Sequence, residues 1–161
     1  MTRELLASLD EAFDRRSWHG TNLRGSIRGL DPATAARRPK PGRHNIWELV
    51  VHAAYWKYDV RRRLTGEKPG SFALAGSNFW RRPTLKLEGR GLSPGHAKEW
   101  KRDVALLGAE HKRLRAAVEA FPKSRWGRTV PGKPGTFAWM VRGVAAHDLY
   151  HAGQIQLLKR F

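Results

Sequence analysis

The sequence predicts an all-α protein, a four-helix bundle with a long crossover connection between the second and third long helices. Four segments place apolar residues at helical spacing, and no segment shows the alternation typical of a strand. Residues 65 to 93 are rich in glycine and proline and form the connection, which is long enough to make its flanking helices parallel. At 161 residues the chain fits one domain, 1–161, with its own core.

The N-terminal third predicts one long helix and shorter helical pieces. The first helix has an apolar face formed by Leu5, Leu9, Ala12 and Phe13. A second helical stretch follows, with apolar residues at Leu23, Ile27 and Leu30. Asp31 and Pro32 fit the N-cap and the first position of a further helix, which stays short because Pro39 and Pro41 follow.

The second long helix is predicted over residues 45 to 64. Its first half is apolar nearly all round, as expected of a deeply buried segment. His52 lies in this half, at the flank of the apolar stripe, where a side chain reaches along an interface between helices. We take His52 as a candidate metal ligand and its neighbour Trp56 as candidate cavity lining.

The long connection contains one aromatic cluster, Asn78, Phe79 and Trp80. Long connections in compact domains are usually functional or required by the topology. Trp80 is therefore a candidate cavity residue on a lid, or alternatively part of a plug anchored in the core.

The third long helix begins with Pro94 after the N-cap residue Ser93. Its apolar residues alternate steps of three and four as far as Phe121, which is the pattern of a bundle seam. His111 interrupts this seam. It is either a further inward imidazole lining the cavity or, more commonly for such a position, a core histidine bonded to a neighbouring helix.

The fourth helix, over residues 136 to 160, carries His147 and His151 four residues apart. This spacing sets two imidazoles one turn apart on one side of a helix, where both can reach one cation. With Gln154 they fall in the apolar stripe, so they point inward. A third imidazole from His52 on a facing helix would complete a site with positions left for water or substrate.

Composition limits the chemistry. The chain has no cysteine, which excludes disulfides, thiolate metal sites and a cysteine nucleophile. It shows no leader-like segment and no apolar stretch of membrane-spanning length, so we expect a cytoplasmic protein without a membrane partner.

The net charge of +17 often accompanies nucleic-acid binding. The basic residues are spread along the chain, and the densest cluster, Arg61, Arg62 and Arg63, complements a helix dipole. No known nucleic-acid motif is present, so a nucleic-acid partner is not expected. A basic helical module that binds nucleic acid or another polyanion, with a structural metal or none, is the alternative function.

These residues resemble the DinB/YfiT-like superfamily of metalloenzymes. The resemblance spans nearly the whole chain and rests on NIWELVVHAAYW around His52 and HDLYHAGQIQLLKR near the C-terminus. It matches His52, His147 and His151 to the metal ligands of the family. It implies a homodimer and a divalent transition metal, zinc or nickel before iron or manganese. It also implies a small-molecule substrate and, in characterised relatives, a low-molecular-weight thiol used by S-transferases and isomerases.

A metal held by three neutral histidines keeps its double charge and lowers the pKa of a bound water or thiol. We therefore expect a metal-dependent enzyme, a thiol-dependent S-transferase or a related transferase or hydrolase. Its sulfur would come from a cosubstrate because the chain has no cysteine. Beyond the metal-bound water or thiol, the sequence identifies no catalytic group.

Asp148 occupies the glutamate position of an HExxH protease motif. It is one methylene shorter, and the third ligand lies far upstream, so a protease is disfavoured. Asp148 is a candidate cavity residue, with a carboxylate behind the ligands or on the surface as the alternative. Tyr150 and Gln154 complete the candidate cavity lining.

Overall fold

The computed structural model describes residues 1–74 and 94–161, and every regular element within them is helical. The long helices are α1 (Thr2–Phe13), α4 (Ile46–Thr65), α5 (Pro94–Ala120) and α6 (Phe137–Leu158). The short ones are α2 (Leu23–Ser26) and α3 (Pro32–Ala36), and one 3₁₀ turn spans Lys123–Arg125. The prediction of an all-α bundle is confirmed. Among the described residues, no helix is long and apolar enough to cross a membrane.

The long helices occupy four corners of a bundle. Helices α5 and α6 each pack against both α1 and α4. Contacts between α4 and α5 advance together along both helices, since Trp47 meets Trp100 with ring centroids 5.3 Å apart and Arg61 Nε lies 3.4 Å from Glu110 Oε2. The two helices are therefore parallel, as the predicted crossover requires. The part of the crossover at residues 75–93 lies outside the described residues.

Local signals fix the ends of the helices that matter for the site. At the start of α4, the Asn45 side chain accepts a hydrogen bond from Glu48 N at 2.9 Å, and the Glu48 side chain accepts one from Asn45 N at 3.1 Å. Gly66 ends α4 in the left-handed region at φ +76°. Thr136 caps α6 by accepting from Trp139 N at 3.1 Å.

The second predicted helical stretch is shorter than expected. Apolar spacing predicted a helix reaching Leu30, but α2 is only the four residues Leu23–Ser26. Two glycines, Gly25 and Gly29, weaken helix formation here, and Gly29 has a positive φ of +72°. The short helix after Asp31 forms as predicted, with the Asp31 side chain accepting from Thr34 N.

The core consists of two apolar clusters with buried polar side chains between them. One cluster includes the first half of α4 and the end of α6, and the other includes the end of α4 and the start of α6. The polar layer between them is formed by His52, Lys57, Asp59, Glu110, His111, Asp148 and His151. Because buried polar groups are costly unless they are bonded, this layer indicates a functional site in the middle of the bundle.

Candidate metal centre

Two antiparallel helices bring three histidines together at the polar layer. His52 projects from the buried half of α4, whereas His147 and His151 project from consecutive turns of α6. The side chains of His52 and His151 are almost fully buried, and His147 is partly exposed. The cluster therefore lies inside the bundle but can be reached from solvent.

The three imidazoles converge through their Nε2 atoms. His147 Nε2 lies 3.1 Å from His52 Nε2 and 2.9 Å from His151 Nε2. The ring centroid of His52 lies 5.0 Å from the ring centroid of His147 and 5.0 Å from that of His151. One nitrogen from each ring lies within 4.8 Å of the other two. The structure thus brings together all three residues that the sequence proposed as metal ligands.

Burial keeps the two α6 histidines neutral. It lowers the pKa of His147 to about 3, with further lowering from the charges of His151, His52 and Lys57. Burial also lowers the pKa of His151 to about 4, although its hydrogen bond with Gln154 opposes this change. Neutral imidazoles present lone pairs, which is the form that coordinates a metal.

Gln154 orients the ring of His151. Its Oε1 lies 2.6 Å from His151 Nδ1, and because an amide oxygen only accepts, Nδ1 carries the proton. His151 Nε2 is then an acceptor that faces the other histidines. Such a contact to the distal nitrogen is the usual way in which proteins fix a ligating histidine. The Nδ1 atom of His147 is buried and has no hydrogen-bond partner among residues 1–74 and 94–161.

The donor set fits a divalent transition metal. Imidazole nitrogen binds zinc at about 2.0–2.1 Å, which sets neighbouring ligand nitrogens about 3 Å apart, as observed here. Because His151 Nε2 is an acceptor, an N–H at His147 Nε2 can serve only one of its two contacts, and an N–H at His52 Nε2 instead leaves the contact between His147 and His151 without a proton. A cation at the centre of the three nitrogens would satisfy all of them.

A buried ion pair lies beside the cluster. Lys57 Nζ donates to Asp148 Oδ2, and both side chains are 0% exposed. Lys57 also faces the ring of Phe13, with Nζ 4.9 Å from the centroid. Burial raises the pKa of Asp148 to about 6, against the opposing effect of Lys57. Asp148 is therefore not a surface carboxylate, and its ammonium partner holds it away from solvent.

Three of the candidate cavity residues border clefts that contain the histidines. Trp56 lines one cleft together with His52 and His147. Tyr150 and Gln154 line another, which also contains His151.

The other candidate cavity residues do not border these two clefts, or lie outside the described part of the chain. His111 stacks on Phe13 with centroids 3.8 Å apart, and its Nε2 lies 3.7 Å from Asp10 Oδ1. Burial, with the charges of Lys57, Arg115 and Arg24, lowers the pKa of His111 to about 3. Asp148 faces Lys57 and lines neither histidine cleft. Trp80 lies outside the described residues.

Sequence reasoning missed Lys57, although a signal was present. Lys57 occupies the seam position of α4 four residues after Ala53 and three before Val60, and it is 0% exposed. A charge within an apolar seam is the same kind of interruption that singled out His111. It indicates a buried partner of opposite charge, because an unpaired buried ammonium is costly.

A helical bundle with a buried three-histidine cluster beside solvent-accessible clefts has the architecture of a helical metal-binding protein. The family model of the DinB superfamily matches residues 15–155. The chain therefore belongs to the DinB superfamily, a metal-binding helical family, and the resemblance seen in the sequence is confirmed. No curated protein and no solved structure matches the chain significantly.

Proposed function

We propose that this protein is a divalent-metal-dependent enzyme that joins a low-molecular-weight thiol, through its sulfur, to a small electrophile. His52, His147 and His151 would hold the metal, with zinc or nickel favoured and iron or manganese as alternatives. The observation that carries the proposal is the convergence of three Nε2 atoms, with 2.9 and 3.1 Å contacts at His147. Membership of a metal-binding family supports it independently.

The bound metal would lower the pKa of a coordinated thiol and so supply a thiolate near neutral pH. Three features of the chain would favour the formation of this thiolate. Gln154 holds His151 with its Nε2 lone pair toward the site. The packing that buries His52 and His151 limits the access of water. No protein thiol competes, because the chain has no cysteine.

The proposed reaction needs no oxidant or reductant. The thiol sulfur forms a bond to an electrophilic carbon while the bond from that carbon to its leaving group breaks. The leaving group departs with the bonding electron pair, and the thiol proton is released with it as the conjugate acid. A hydrolase variant of the proposal would use water in place of the thiol.

Metal analysis of protein purified without a histidine tag tests the site. We expect about one metal ion per chain in the wild type and a large loss in His52→Ala and His151→Ala, because each removes one of three ligands. His19→Ala is the matched control, since His19 is exposed and outside the cluster. Equal, sub-stoichiometric metal in the wild type and all three variants would refute the site.

A second assay tests the reaction. Zinc- and nickel-loaded protein is incubated with mercaptopropionate and chlorodinitrobenzene, and release of the thioether product is followed by absorbance. Turnover should depend on the metal and disappear in His52→Ala. If metal raises the melting temperature through linkage while no thiol reacts with any electrophile tried, the metal is structural and the proposed transfer is wrong.

The alternative, a basic module for nucleic acid or another polyanion, rests on the net charge of +17. The densest basic cluster argues against it. Arg61 pairs with Glu67 and Glu110, and Arg62 and Arg63 both pair with Asp59. These arginines are therefore committed to carboxylates. Tight binding to duplex DNA that weakens steeply with salt would favour the alternative over the enzyme.

A homodimer is a further part of the proposal, taken from the family resemblance. Sedimentation velocity at micromolar concentration tests it. A single monomeric species would contradict the prediction.

A further inference from the structure

The histidine cluster divides the groove between α4 and α6 into two clefts. One is lined by Trp56, Val60, Val130, Trp139, Met140 and Val144, and we call it the Trp139 cleft. The other is lined by Arg43, His44, Leu49, Tyr150, Gln154 and Leu157, and we call it the Arg43 cleft. Both contain His52 and His147, and their volumes are about 520 and 500 Å³.

The clefts lie on opposite sides of the cluster along the helices. The α6 residues of the Trp139 cleft all precede or include His147, whereas those of the Arg43 cleft begin at His147 and continue toward the C-terminus. A ligand in either cleft can therefore reach the same histidines without entering the other. Each cleft is large enough for a small organic molecule.

The Trp139 cleft is suited to an apolar, aromatic group. The ring of Trp56 connects it to the cluster, with its centroid 6.2 Å from that of His52 and 6.1 Å from that of His147. The charge of Arg63 in this cleft is offset by Asp59, which lies 2.8 Å away. Lys133 makes no ion pair with any described residue, so it leaves one free positive charge at an otherwise apolar wall.

The Arg43 cleft is suited to a small anion. The exposed Arg43 side chain makes no ion pair in the described part of the chain, and a free guanidinium binds carboxylate in a bidentate manner. The neighbouring imidazole of His44 is held by Glu48, with Nδ1 3.2 Å from Oε2. Glu48 is itself engaged by Arg38, so its charge does not compete for Arg43.

We propose that the two clefts bind two cosubstrates side by side at the histidine cluster. The Arg43 cleft binds a hydrophilic thiol that carries a carboxylate. The Trp139 cleft binds the electrophile, an apolar aromatic molecule with one negative group that interacts weakly with Lys133. The proposal rests on the proposed metal-dependent transfer and names its two substrate classes. It requires that both ligands bind at once.

The Trp139 cleft is tested by filling it. Gly143 lines this cleft on α6, and a Cβ built there meets nothing within 4 Å, so the side chain of Gly143→Phe begins in open space beside the cleft. Gly153→Phe is the matched control, because Gly153 is exposed on α6, has equally free space and lines neither histidine cleft. Both glycines lie on the exposed side of α6, so an effect on self-association would appear in both variants.

Anilinonaphthalene sulfonate, an aromatic anion whose fluorescence rises in apolar surroundings, is the probe for this cleft. Its Kd should rise about tenfold or more in Gly143→Phe and stay within about twofold of wild type in Gly153→Phe. Saturating mercaptopropionate should also leave the Kd within about twofold, since the thiol occupies the other cleft. Equal affinity in the wild type and both variants, or direct competition by the thiol, overturns the proposal.

The Arg43 cleft is tested by calorimetry on zinc-loaded protein with mercaptopropionate and the neutral mercaptoethanol. The carboxylate should improve affinity about tenfold in the wild type and in Arg16→Gln, which changes an exposed arginine elsewhere, and not in Arg43→Gln. If Arg43→Gln still binds mercaptopropionate more tightly than mercaptoethanol by the wild-type ratio, the assignment of this cleft is wrong.

Failure of the metal site gives a different pattern. If the protein binds no metal but Gly143→Phe still weakens the fluorescent probe, the proposed enzyme is wrong while the Trp139 cleft remains a ligand site. If one metal binds per chain but the probe does not distinguish Gly143→Phe from Gly153→Phe, the metal site is retained and the division between two clefts is wrong.

Discussion

Replacing Lys57 with methionine should destabilise the bundle by about 3–5 kcal/mol, because it removes one partner of a buried ion pair. Lys57 and Asp148 are both 0% exposed. Asp148 Oδ1 has no hydrogen-bond partner, so Lys57 supplies the only bond to this carboxylate found in the described residues. Methionine keeps much of the lysine's length and would leave Asp148 buried without a counter-charge.

The loss of stability should also appear as a lower melting temperature. For a chain of this length, a loss of that size lowers Tm by about 6–20 °C. The reverse change, Asp148→Leu, should cost less, because the ammonium of Lys57 still lies 4.9 Å from the centroid of the Phe13 ring. The double variant Lys57→Met, Asp148→Leu replaces the pair with apolar packing, so it should lie within about 1 kcal/mol of wild type or be more stable.

Urea denaturation followed by circular dichroism measures the cycle, with a chelator present so that metal affinity does not enter. Glu119→Gln is the control, since its ion pair with Arg115 is largely exposed and should contribute less than about 1 kcal/mol. The reasoning fails if each single variant costs less than about 1 kcal/mol, or if the double variant is as unstable as the sum of the two.

Three further predictions concern single side chains. The pKa of His111 is lowered from 6.5 to about 3 in the fold, so below pH 6.5 the unfolded chain binds a proton at this residue that the folded chain does not. The free energy of unfolding should therefore fall by about 2 kcal/mol near pH 5 because of His111 alone. Urea denaturation at several pH values should show a smaller fall in His111→Phe. Asn45→Ala should cost about 1–2 kcal/mol, since it removes the cap of α4 and a bond to Ala36 O, and thermal melts check this. Gln154→Leu should weaken zinc binding about 10–100-fold in a chelator competition, because His151 loses its orienting partner.

Much of the bundle could be predicted because its signals are local. The second long helix was expected over residues 45 to 64 and is Ile46–Thr65, since its cap and its apolar spacing lie within a few residues of each other. The stretch after Leu23 was predicted too long for a related reason. Apolar spacing alone did not weigh the cost of Gly25 and Gly29, and the helix ends at Ser26.

The histidine cluster was only partly local. His147 and His151 are related by one turn of a helix, so their spacing indicated a shared face directly. Their approach to His52 spans 95 residues and depends on how α4 packs against α6, which no periodicity reports. The burial of the α4 segment and the family resemblance supplied that step. The Lys57 and Asp148 pair, 91 residues apart, had neither kind of support.

The ion pair also bears on which ligands suit the site. Asp148 follows a histidine of the cluster directly, but its bond to Lys57 keeps the carboxylate inside the bundle and away from both clefts. In the described part of the chain, the donors grouped for a metal are then three imidazoles. The α6 pair is neutral near pH 7 because burial lowers the pKa of His147 and His151. A dication held in this way keeps its double charge, which favours an anionic ligand such as a thiolate over a neutral one. Lys57 therefore supports the proposed chemistry without touching a substrate, by engaging the carboxylate of Asp148, which would otherwise offset part of that charge.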